Sequence, residues 1–161
     1  MLSVQVLADG DMDIRGAVES VAGQGWELVV GYVPGREPIG LGTAGTRAVP
    51  VAEGARDKVR QCLAEASSHE ACLILEPWER LSSGHEALTE AAAQGRTTRV
   101  ILTEGDMVTK PVRLWDRRRA GPRQAVMECL RPDDDAVLAD CTISSSGKPP
   151  AARLLPLARA W

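Results

Sequence analysis

The first thirty-two residues constrain the fold more than any other part of the chain. Leu2 to Ala8 (LSVQVLA) alternates and then runs apolar, which with its Val and Leu content predicts a strand. Asp9-Gly10-Asp11 turns the chain. Met12 to Gln24 places Ile14, Val18 and Val21 at helical spacing on one face, with Asp11 or Asp13 positioned to cap it. Gly23 and Gly25 close that helix before Trp26 to Tyr32 opens a second strand. Strand, helix and strand in so short a span form a βαβ unit, whose crossover is right-handed and whose strands are parallel.

The alternation continues. Gly31 to Gly45 (GYVPGREPIGLGTAG) keeps no strand or helix period and reads as a loop at the carboxyl edge of the sheet. Ala48 to Val51 reads as a short strand, and Glu53 to Ser68 as a helix with Val59, Leu63 and Ala66 facing inward. Ala71 to Leu75 is a buried strand by its apolar run. A helix over Gly84 to Gln94, capped by Ser82 or Ser83, leads to a strand from about Arg96 to Thr103. The expected architecture is an α/β sandwich with a mostly parallel central sheet and helices on both faces. At 161 residues it forms a single domain, 1–161, large enough to bury a core without disulfide staples.

Composition narrows the class. A formal net charge of -3 gives no reason to expect a nucleic-acid partner. Phe is absent and the aromatics are four Trp and one Tyr, so Leu, Val, Ala and Ile must fill the core, and each Trp invites a functional reading. Cys62, Cys72, Cys129 and Cys141 stand far apart without C-x-x-C spacing, which points to reduced thiols rather than a zinc site or redox pair. With no signal peptide and no apolar run of membrane-spanning length, the cytoplasm is the expected location.

The most chemically loaded stretch is Ala71 to Gly84, ACLILEPWERLSSG. A buried strand here delivers Glu76, Pro77, Trp78 and Glu79 to the carboxyl edge of the sheet, where open α/β sheets bind ligands. Leu75-Glu76-Pro77-Trp78-Glu79 resembles the short acid motif of family 2 glycosyltransferases, L-D-x-D-E, with Glu for the first acid and Trp for the second. Four further segments keep the family's order around it. Gly54-Ala55-Arg56-Asp57 is similar to A-A-R-N. Lys110 to Trp115 with Asp116 to Arg119 resembles R-L-F-R-R-R. Ala125 to Leu130 (AVMECL) is similar to V-H-E-x-L, with Glu128 retained and Met127 at the histidine. Ala136 to Ser146 looks like the strand ending in I-x-H-x-G, with Ser145 at that histidine.

The resemblance implies a GT-A-like three-layer α/β/α sandwich with an antiparallel C-terminal addition. It implies nucleotide-sugar binding at Ala8, Asp9, Tyr32, Arg56, Asp57, Glu76, Trp78 and Arg117. Glu128 is the implied catalytic carboxylate, Glu76 the remaining metal ligand, and manganese or magnesium the implied cofactor. Such cations demand hard oxygen ligands, and an indole supplies none. The acid that usually ends the second strand is also missing, where Gly31-Tyr32-Val33-Pro34-Gly35 stands instead.

Other residues carry alternatives. Trp78 at a ligand edge stacks on a base or sugar face, or packs beneath its loop. Arg117, Arg118, Arg119 and Arg123, with Arg113 nearby, bind a diphosphate bidentately without a metal, or form a solvated surface. His69 and His85 have local roles, and the Gly40 to Gly45 loop lacks the helix that Walker spacing requires. Two functions compete: a glycosyltransferase-like domain that binds a nucleotide-sugar with weak or absent transfer, and a catalytically inactive GT-A-fold binding or interaction module. The βαβ pattern by itself is shared with flavodoxin-like and other doubly wound domains.

Overall fold

The computed structural model describes residues 1–8, 10, 12–52, 56–96, 98–104, 107–109, 112–116 and 137–145. Strand β1 (Leu2–Ala8) lies inside the sheet with all seven residues buried. Helix α1 (Arg15–Val21) crosses over to β2 (Glu27–Tyr32), which pairs parallel with β1, and β3 (Thr46–Pro50) pairs parallel with β2. Helix α2 (Arg56–Ala66) then returns the chain to β4 (Ala71–Leu75), parallel to β1 on its other side. These elements realise the predicted βαβ repeat.

The second half is mixed. After β4 come β5 (Glu79–Ser83), α3 (His85–Ala93), β6 (Thr98–Glu104), β7 (Met107–Thr109), β8 (Val112–Asp116) and β9 (Val137–Ser145). The sheet order is β3-β2-β1-β4-β8-β6-β9-β5, with β7 beside β6. Strand β8 is antiparallel to both β4 and β6, and β9 is parallel to β6. The sheet is therefore mostly parallel, and β8 is the antiparallel strand expected from Lys110 onward; β5, antiparallel to β9, is a second one that lies before residue 100. Ala71–Leu75 sits in its middle.

Alternation along β1 sorts the two cores. Leu2, Val4, Val6 and Ala8 join Ile14, Ala17, Val18 and Val21 of the α1 segment and Leu88 and Ala92 of α3. On the opposite face Leu7, Val29 and Val51 meet Val59 and Leu63 of α2. Each Val, Leu or Ile among them contributes about 1.5–3 kcal/mol on burial. Gly31 allows α2 to come this close, since a Cβ there would lie 2.8 Å from Leu63 Cδ2.

Two local expectations are corrected. Ser82 and Ser83 do not cap α3; they belong to β5, where the Ser82 and Ser144 hydroxyls pair at 2.7 Å, and Gly84 at φ 87° is the cap residue. Helix α1 is also shorter than Met12 to Gln24, because residues 12–14 are held by the β2–β3 loop: Ile39 N–H donates to Met12 O and Ile14 N–H to Ile39 O. Asp13 still accepts the Arg15 N–H at 3.0 Å, while Asp11 lies outside the described residues. Cys62, Cys72 and Cys141 are free thiols, and Cys129 lies outside the described residues. Among the described residues no helix is long and apolar enough to cross a membrane.

Candidate functional site

The parallel strands β1, β2 and β4 end together. Register pairs Ala8 with Tyr32, and Val6 with Leu75, so the chain leaves all three strands at one edge. Three predicted residues, Ala8, Tyr32 and Glu76, are thereby brought to this edge, with Trp78 in the turn that follows. Loop residues 33–45 fold over the same edge, and Arg36 Nη2 lies 3.5 Å from where a Cβ on Gly10 would stand. Arg80 lies against Gly16 so closely that a Cβ there would fall on its guanidinium. Asp13 faces Arg15 at 2.6 Å; that side-chain bond and the Arg15 N–H hold its carboxyl down at about 2.

The turn after β4 is pinned from both ends. Arg60 Nη2 reaches Glu76 Oε1 at 2.8 Å, with side chains 1% and 11% exposed. Arg113 of β8 donates to both oxygens of Glu79, Nη2 to Oε1 at 2.8 Å and Nη1 to Oε2 at 3.1 Å. Glu79 Oε2 also accepts the Glu76 N–H at 2.9 Å, and the Glu79 N–H returns to Glu76 O at 3.0 Å. Pro77 is buried within this turn and Trp78 is half-buried. Burial pushes the Glu79 carboxyl above its ordinary range; Arg113 pulls the other way, and the charge of Glu76 adds to the rise.

Antiparallel pairing of β5 with β9 sets Ser145 opposite Glu79. Two segments singled out separately in the sequence, the acidic turn and the end of the last strand, thus meet at one place. Arg56 and Asp57 lie in the first turn of α2, one turn before Arg60; their side chains are outside the described residues, as are Asp9, Arg117 and Glu128.

Sequence reasoning missed Arg60. The signal was present, because Val59, Arg60, Leu63, Ala64 and Ser67 form one buried stripe along α2, and a charge in such a stripe requires an internal partner. Nor did sequence reasoning anticipate Arg113 as the partner of Glu79.

A divalent cation fits this edge poorly. Glu76 and Glu79 each face a guanidinium, the residue at the second acid is an indole, and among the described residues no three His, Cys, Asp or Glu side chains cluster to hold an ion. Among the described residues, this edge also carries Trp78, the glycine-rich loop, and Arg36 and Arg80.

No family model matches the sequence, and no curated protein matches it. Solved structures do match in fold. The 1–349 portion of S. aureus TarS in complex with UDP-GlcNAc superposes with a TM-score of 0.61 at 13% identity, over 92% of this chain and 59% of that one. The chain spans only 37% of a longer TarS structure. The 2-C-methyl-D-erythritol 4-phosphate cytidylyltransferase from Thermus thermophilus matches at TM-score 0.55 and 18% identity, over 98% of both chains. A nucleotidyl transferase from Methanothermobacter thermautotroptrophicus matches at 0.52 and 15%, over 87% and 88%. The chain has the GT-A-like fold of nucleotide-diphospho-sugar transferases.

Proposed function

We propose that this chain is a glycosyltransferase-like domain of the family 2 type that binds a nucleotide-sugar at the carboxyl edge of β1, β2 and β4, with weak or absent transfer activity. The observation that carries the reading is the composition of the turn after β4. It lies where this fold presents its ligand edge, yet its two carboxylates are committed to Arg60 and Arg113 and its middle residue is Trp78. Ala8, Asp9 and Tyr32 would meet the nucleoside, Arg56, Asp57 and Arg117 the diphosphate and sugar, and Glu128 would take the acceptor proton in any residual transfer.

The second reading, an inactive binding module, draws on the same ion pairs together with Ser145 beside Glu79, where the resemblance places a histidine. Amide NMR titration with UDP, GDP, CDP and dTDP tests the binding that the two readings share. Shifts confined to the ends of β1, β2 and β4 support it, and an unchanged spectrum for every nucleotide overturns it. Release of free UDP from UDP-GlcNAc then separates a slow transferase from an inactive module.

A further inference from the structure

Glu76 and Glu79 come from one turn, but their partners come from different layers: Arg60 from the helix on one face of the sheet, and Arg113 from β8 within it. Each of the two carboxylates is thus paired with a guanidinium, and within these four groups the charge that a divalent cation would neutralise is already offset. A cation binding either carboxylate would have to displace an arginine whose side chain is 1% or 12% exposed. The same four groups fix the turn geometrically. With Glu76 anchored to α2, Glu79 anchored to β8, and the two joined by reciprocal hydrogen bonds, the backbone on either side of Trp78 is set. Trp78 is the half-buried member of a turn whose other three residues, Glu76, Pro77 and Glu79, are buried.

We propose that the two ion pairs stand in place of a divalent cation and hold Trp78 as a metal-free contact for the ring of the bound ligand. Resting on the nucleotide-sugar reading above, that ring is the base or the pyranose, either of which presents a flat face to an indole. Glu76, Glu79, Arg60 and Arg113 are then positioning residues, and Trp78 is the binding residue.

The test uses the whole chain labelled with 5-fluorotryptophan, whose ¹⁹F spectrum resolves the tryptophans individually; Trp78→Phe assigns the line of interest. Manganese chloride should leave the Trp78 line sharp, since no paramagnetic ion lodges beside it, and UDP-GlcNAc in EDTA should shift it. Arg113→Gln frees the Glu79 carboxylate, and manganese should then broaden the same line. If Arg113→Gln does not fold, the unmodified chain still decides. Broadening of the Trp78 line by manganese in the unmodified chain, abolished by Glu76→Gln, overturns the inference. So does UDP-GlcNAc shifting other tryptophan lines while Trp78 stays still, which would spare the nucleotide-sugar reading. A spectrum in which no line responds to UDP-GlcNAc sinks both.

Discussion

Arg113 holds Glu79 through two parallel hydrogen bonds, at 2.8 and 3.1 Å, on side chains that are 12% and 3% exposed. The pair joins the middle of the sheet to the turn after β4, and its energetics differ from those of a surface ion pair. Removing one partner strands a buried charge, whereas removing both does not. Arg113→Met should cost about 3–5 kcal/mol in urea denaturation, and Arg113→Met with Glu79→Leu should recover a large part of that loss. A cost below about 1 kcal/mol for the single variant would mean that the pair is solvated.

Stability should also depend on pH through Glu79. Burial raises its folded-state pKa above the ordinary value of 4.5, with Arg113 opposing and Glu76 assisting the rise. An acid raised in this direction stabilises the fold while protonated. Its contribution is present in full below the unfolded value and is lost as pH climbs through the raised folded value. Denaturation midpoints measured upward from pH 4 should therefore fall over that window. Arg113→Met should steepen the fall by removing the opposing charge, and Glu79→Gln should flatten it. An unchanged slope in Glu79→Gln would assign the effect to another group.

Gly84 makes a third, separate prediction. It sits at φ 87°, and a Cβ there would collide with the Cβ of Cys141 and the carbonyl oxygen of Asp140. Backbone strain and a clash with β9 act together, so Gly84→Ala should destabilise by roughly 2–4 kcal/mol. Thermal melting checks this, and a melting temperature within a degree of the parent would contradict it.

Much of the fold was legible in the sequence, because periodicity and apolar runs report directly on burial. Leu2–Ala8 and Ala71–Leu75 emerge as strands with the same bounds, since both are buried throughout. Strand β5 was not legible. ERLSS is the edge strand beside β9, buries only Glu79 and Leu81, and carries two serines that locally favour a cap. Here pairing with β9 decided the conformation, and that partner lies about sixty residues away in sequence. The site was legible only in part. Glu76 and Trp78 stood out by position after a strand, and the apolar stripe of α2 marks Arg60 as needing an internal partner, but the partnership of Glu79 with Arg113 depends on strand order, which no local pattern encodes.

The register between β5 and β9 supports a gain of function. Ser145 stands opposite Glu79, so Trp78→Asp with Ser145→His adds an oxygen donor and an imidazole beside the acidic turn. Calorimetry should detect manganese binding tighter than about 1 mM in this double variant. Absence of heat there would show that the arginines keep the carboxylates out of reach even when further ligands are supplied.

The central claim is that a nucleotide-sugar binds this edge without a divalent cation, and titration calorimetry of UDP-GlcNAc into the unmodified chain measures it directly. Run once in EDTA and once in manganese, the two titrations should give dissociation constants within about threefold, a difference under about 1 kcal/mol. Binding that appears only with manganese, or strengthens more than about a hundredfold with it, would contradict the account and return Glu76 to the role of a metal ligand.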